Sequence, residues 1–269
     1  MTFIDAIVLG VVEGITEFLP ISSTGHLILT SKLLGLVESE FLTSFEIAIQ
    51  LGAILAVVFL YWRKLLVDRG LVARVLAAFV PTAIIGLALH GLAKTYLLGN
   101  AKVVLISLFV GGVVLILFEY WYGKREERLV EIDIAGEADL PVLRQVITYK
   151  QAVIVGLAQS LAIVPGVSRA AATVVGGLAL GLPRKTIVEF SFLLAIPTMA
   201  AATGLDLIKT GVNFSSQEWL LLASGFITAA VVAMVAVKWL LRFITHHNFT
   251  AFGWYRIVVA TLAFWLIFW

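Results

Sequence analysis

Cysteine is missing altogether from the 269 residues, which excludes disulfides, thiolate metal centres and cysteine nucleophiles. Charge is scarce too. Asp, Glu, Lys and Arg make up 13% of the chain, about half the usual share of roughly 25%. So few charges cannot clothe a soluble globule, and a disordered chain would need more polarity still. A net charge of +2, with no basic stripe interleaved by aromatics, argues against nucleic acid as a partner. The first residues, Met1 to Asp5, lack the basic region and small-residue cleavage site of a removable signal peptide.

What remains is apolar: 61% of residues are hydrophobic and the mean hydropathy is +1.05. The runs are long and do not alternate, so helices rather than a barrel must satisfy the backbone in lipid. The sequence therefore predicts an all-α polytopic protein forming one membrane domain over residues 1–269. Six stretches are long enough to cross: 45–62, 75–93, 103–122, 186–208, 218–241 and 254–269. Aromatics at their ends, among them Tyr61-Trp62, Tyr120-Trp121-Tyr122, Trp239 and Trp254-Tyr255, form the expected interfacial belt. Basic residues cluster at 63–74 and around Lys238 and Arg242, while the polar stretch 123–150 mixes five basic with six acidic residues. Placing 63–74, 123–150 and 238–253 in the cytoplasm lets all six crossings alternate, with both termini outside.

Two further segments, about 1–36 and 151–181, begin as apolar helices and are broken midway by Pro20 and Pro165. Such breaks persist in a membrane only where the backbone is buried in protein or lines a wet cavity. Both are expected to be re-entrant helical hairpins. They also resemble each other: Gly10-x-x-Glu13 matches Gly156-x-x-Gln159, and each pair is followed by its proline and later by Phe45 or Phe190. The halves, about 1–122 and 151–269, are joined by the polar loop 123–150. Each has three crossings, an odd number, so they must run in opposite senses. That is an inverted-topology repeat, with its site where the broken helices meet.

The chemistry concentrates at these breaks. Glu13 and Glu17 stand one helical turn apart on one face, and two carboxylates there make sense if they hold a divalent cation or share a proton. Past Pro20 come Ser22, Ser23 and Thr24, able to cap the second half-helix while its free amides meet an anion. His26 follows within reach, a candidate for acid–base or nucleophilic work. In the second segment Arg169 lies deep in apolar sequence, and its planar fork suits phosphate, although an ion pair with Glu13, Glu17 or Glu46 would also account for it. Gly166 permits close backbone approach, Ser168 and Thr173 add hydroxyls, and Gln159 stands where the first half has Glu13. Glu46 and Gln50, again one turn apart, could line the same cavity. His90 and the His246-His247 pair fall at span ends and are read as interfacial. Gly177-x-x-x-Gly181 is a close-contact motif that serves equally within one chain.

The run Glu13-x-x-x-Glu17-Phe-Leu-Pro-x-Ser-Ser-Thr-Gly-His26 and the run Pro165-Gly-x-Ser-Arg169-x-x-x-Thr173 resemble the two signatures of the undecaprenyl-diphosphate phosphatases, the bacterial bacitracin-resistance family. The similarity extends over essentially the whole chain, including Phe45-Glu46-x-x-x-Gln50 and Glu189-Phe-Ser-Phe-Leu-Leu-Ala-x-Pro197. One departure matters: Ala170 stands where the family typically has serine, so no role for that hydroxyl carries over. The resemblance implies hydrolysis of a polyprenyl diphosphate lipid to its monophosphate in the bacterial cytoplasmic membrane, with a site opening to the outer face. It implies a divalent cation, Mg²⁺ or Ca²⁺, and a homodimer. In the expected mechanism Glu13 and Glu17 bind the cation. Arg169, Ser168, Thr173 and amides near Gly166 and Thr24 neutralise the phosphoryl group. Ser23, Ser22 or a water attacks, with His26 as base or as nucleophile. The rival class is a lipid-phosphate transporter built on the same inverted repeat.

Overall fold

The computed structural model describes residues 1–97, 100–134, 147–210 and 214–268. Ten α-helices order the described residues: α1 (Phe3–Thr16), α2 (Ser23–Leu33), α3 (Glu40–Val67), α4 (Arg69–Tyr96), α5 (Ala101–Ile134), α6 (Tyr149–Gln159), α7 (Arg169–Ala179), α8 (Arg184–Thr210), α9 (Ser216–Phe243) and α10 (Thr250–Phe268). Six of them, α3, α4, α5, α8, α9 and α10, are long and apolar enough to cross a membrane. They coincide with the six stretches expected from sequence. The protein is an all-α, multi-pass membrane protein.

The breaks occur where proline and hydroxylated residues cluster. Helix α1 ends at Thr16, a turn passes Pro20, and α2 starts at Ser23. Helix α6 ends at Gln159, a 3-10 turn spans Ser160–Ile163, and α7 starts at Arg169. Ser168 caps α7 by accepting from the Ala171 amide at 3.2 Å.

Packing repeats under exchange of halves. Helix α1 lies against α9 as α6 lies against α4, and each hairpin closes on itself, α1 on α2 and α6 on α7. The glycines matched in sequence do matching work: a Cβ on Gly10 would sit 2.6 Å from the Gly225 carbonyl of α9, and one on Gly156 1.9 Å from the Ala78 carbonyl of α4. Lipid supplies no hydrophobic drive between helices, so such close backbone contacts and buried hydrogen bonds hold the bundle. Gly177 likewise meets Ile187 of α8, within the chain.

The ends of the helices sort onto two faces. Lys64 at the end of α3 pairs with Glu189 early in α8 at 2.8 Å. Arg184 grips Glu119, whose Oε1 also accepts from the Phe249 amide at 3.1 Å, tying α8, α5 and the start of α10 together. On the opposite face Phe41 of α3 meets Phe214, which meets Trp219 of α9. The sequence expectation differs in two places. The 63–74 connection is no loop but two helices meeting at the single residue Asp68. Helix α5 runs on through Ile134, so the polar stretch begins as a helical extension. The remainder of that stretch, and parts of the connections at 94–102 and 209–217, lie outside the described residues, as does the His90 side chain.

Candidate active site at the two helix breaks

Both breaks open into one cavity of about 660 Å³. Glu17, Ser22, Ser23 and Thr24 line it from the first hairpin, and Gln159, Gly166, Ser168 and Arg169 from the second. Gln50 of α3 joins them. Away from this polar end the wall is apolar, with Phe79, Ala83 and Leu87 of α4 facing Met199 and Ala202 of α8.

Glu17 is the meeting point. Ser23 Oγ donates to its Oε2 at 2.5 Å, and Arg169 Nη2 donates to its Oε1 at 2.7 Å. Ser23 and Arg169 are each the first residue of a second half-helix, so one carboxylate is shared by the N-terminal ends of both. Helix N-termini carry unpaired amides and partial positive charge, which suits an anion entering the cavity. Arg169 Nη1 is buried and has no hydrogen-bond partner among the described residues, leaving half of its fork for a ligand.

The turns themselves are strained or spared by residue choice. Ser22, the residue before α2, sits at φ 72°, ψ 94°, a conformation that costs a non-glycine residue about 1–3 kcal/mol. Its counterpart past Pro165 is Gly166 at φ +92°, where a Cβ would also come 2.5 Å from the Val104 carbonyl.

Four expected residues stand outside the cavity lining. Glu13 is fully buried beneath Glu17, with both carboxylate oxygens lacking a hydrogen-bond partner among the described residues. The charges of Glu17, Arg169 and Glu46 lie close enough to act on it. Thr173 is also fully buried and donates to the Arg169 carbonyl at 2.7 Å, so it braces α7. Glu46 accepts from Ser31 at 2.9 Å, linking α3 to α2. His26 has both ring nitrogens engaged: Nδ1 contacts the Ser22 carbonyl at 2.8 Å and Nε2 the Tyr255 hydroxyl at 2.9 Å. A carbonyl only accepts, so Nδ1 carries the proton and, in the neutral ring, Nε2 accepts from Tyr255. The structure therefore joins Ser23 to Glu17 and not to His26. Ala170 is buried and is not among the residues that line the cavity.

Gln159 Nε2 donates to Thr82 at 3.2 Å and Thr198 at 3.1 Å, which makes it the hub of a polar cluster joining α6, α4 and α8. No group of three or more His, Asp or Glu side chains spaced to hold a metal occurs among the described residues. The residues expected to hold a cation are Glu13 and Glu17. The orphaned oxygens of Glu13 beside Glu17 fit that role. Hard carboxylates completed by substrate phosphate and water are a usual Mg²⁺ donor set.

Sequence reasoning missed Arg256. It is 1% exposed, lies in α10, and donates to carbonyls of both breaks, Pro20 at 3.2 Å and Gly166 at 2.9 Å. A charged residue inside an apolar span was the signal available. Tyr255, read as interfacial, is the partner of His26.

Comparison with known proteins finds relatives over nearly the whole chain. The family described as "Bacitracin resistance protein BacA" matches residues 6–262. The chain is 49% identical over 259 residues to "Undecaprenyl-diphosphatase" of Aquifex aeolicus, covering 96% of each chain. It is 49% identical over 262 residues to the protein of that name from Sulfurihydrogenibium sp., covering 97% of this chain and 98% of the other. The Thermus thermophilus protein of that name is 47% identical over 261 residues, covering 96% of this chain and 95% of the other.

Proposed function

Because the chain belongs to the bacitracin resistance protein BacA family, we propose that it hydrolyses undecaprenyl diphosphate to undecaprenyl phosphate and inorganic phosphate. This returns the lipid carrier to cell-wall synthesis in the bacterial cytoplasmic membrane and confers bacitracin resistance. The observation that carries the reading is the Ser23–Glu17–Arg169 arrangement at the polar end of an apolar-walled cavity. An amphiphile with a diphosphate head fits that division: head on the hairpin turns, prenyl chain between α4 and α8. In this reading the basic connections lie in the cytoplasm and the site opens to the outer face.

Ser23 is the nucleophile of the proposed reaction. Its hydroxyl proton passes to Glu17 Oε2 as Oγ attacks the terminal phosphorus. The bond to the bridging oxygen breaks, and undecaprenyl phosphate leaves. Water then cleaves the phosphoserine, releasing phosphate. Arg169 turns its fork toward the equatorial phosphoryl oxygens, where charge builds in the transition state. Ser22, Thr24, Ser168 and the amides of both half-helices orient the head, with Gln50 and Gln159 on the cavity wall. Thr173 and Glu46 brace the helices that carry them. His26 fixes the Ser22 turn through Nδ1. A Mg²⁺ or Ca²⁺ held by Glu13 and Glu17 would, when bound, offset the charge of the diphosphate.

A lipid carrier of the same architecture needs recognition but no hydroxyl poised on a carboxylate. Phosphate release by purified protein from undecaprenyl diphosphate separates the two. Release is expected, lost in excess chelator and restored by added Mg²⁺ or Ca²⁺. Undiminished turnover in chelator would remove the cation, and no release under any condition would remove the hydrolase.

A further inference from the structure

Arg256 is the most thoroughly buried charge that the proposed chemistry leaves unused. It lies in α10 at 1% exposure, and no carboxylate among the described residues stands within salt-bridge distance of it. Four of its five N–H donors instead meet backbone carbonyls. Nε reaches Leu108 O at 3.2 Å, Nη1 reaches Pro20 O at 3.2 Å, and Nη2 reaches Ser107 O at 3.1 Å and Gly166 O at 2.9 Å. Two of these acceptors belong to α5, and the other two to the two helix breaks. One planar group thus bonds the turn before Ser23 and the turn before Arg169 to each other and to a spanning helix. The slot is built for it: a Cβ on Gly111 of α5 would fall 2.0 Å from Nη2.

We infer that Arg256 is a positioning residue for the hydrolysis, a tether that sets Ser23 and Arg169 at their separation across Glu17. The inference rests on the phosphatase reading. The carbonyls freed by a helix break are the groups that would otherwise wander, and a rigid fork fixes two of them at once. A shift of about an ångström between nucleophile and phosphate clamp is enough to cost on the order of 10²-fold in rate. Ground-state binding through the prenyl chain should hardly notice.

The test compares wild type, Arg256→Lys and Gly111→Ala, the last displacing the guanidinium without removing its charge. Phosphate release from undecaprenyl diphosphate is measured alongside backbone hydrogen exchange by mass spectrometry. In both variants kcat should fall at least about tenfold with KM within about threefold. Exchange at 17–24 and 164–169 should rise while the cores of α3 and α9 stay protected. Unchanged exchange at either turn would overturn the tether. Raised exchange with normal kcat per folded molecule would overturn the positioning role, as would both variants failing to fold. A wild type that releases no phosphate would instead refute the phosphatase reading, and the exchange comparison would still decide the tether.

Discussion

Glu17 accepts from two groups of opposite character, a neutral hydroxyl and a guanidinium, and this double use sets what each neighbouring substitution should do. Ser23→Ala removes the attacking oxygen and should lower kcat by at least about 10³-fold, with the thermal midpoint hardly moved because the alanine still fits the helix start. Arg169→Lys keeps the charge beside Glu17 but loses the fork. It should cost on the order of 10²-fold in kcat/KM, with a thermal shift below about 4 °C. A variant that melts early yet keeps its activity per folded molecule would make Arg169 a structural ion pair. The motif residues were legible because hydroxyls, carboxylates and an arginine beside proline breaks are conspicuous in apolar sequence. Arg256 was marked only by its charge inside an apolar span; its role was hidden, because its partners are carbonyl oxygens, which every residue has and no sequence pattern marks. The engagement of His26 with Tyr255 was hidden for another reason: 229 residues separate them, and only the packing of α2 and α10 near α5 brings them together.

At the scale of helices, the six crossings and both hairpins could be read from hydropathy and proline because lipid enforces length and backbone satisfaction so strictly. Junctions were harder. Asp68 alone separates α3 from α4, since a polar connection of basic residues is compatible with helix as well as loop. What holds the hairpins in place is close contact at glycine, and that can be probed. Gly156→Ala should force α6 away from α4, where its Cβ would meet the Ala78 carbonyl at 1.9 Å. A loss of about 1–3 kcal/mol is expected, the usual cost of overpacking, read as an earlier melt in detergent. An unchanged melting point would show that the contact yields freely. The Arg184–Glu119 pair offers a second probe. Glu119 is 2% exposed and accepts from both Arg184 and the Phe249 amide, so Glu119→Ala strips both donors of that acceptor and should cost at least about 1 kcal/mol, read as an earlier melt in detergent.

For the whole molecule, the turns of two hairpins line one cavity, and the proposed function depends on which face is outside. Single cysteines are clean reporters because the chain has none of its own. At Arg69 a cysteine should resist an impermeant thiol reagent in intact cells, whereas at Gln217 it should label. The reverse pattern would turn the site toward the cytoplasm. The central claim, that this cavity breaks a phosphoanhydride at Glu17 and Ser23, is tested most directly by phosphate release from undecaprenyl diphosphate, comparing purified wild type with Glu17→Gln. Wild type should release a single phosphate per lipid. Folded Glu17→Gln should release it at least about 10³-fold more slowly. A Glu17→Gln protein that turns over at the wild-type rate would contradict the account.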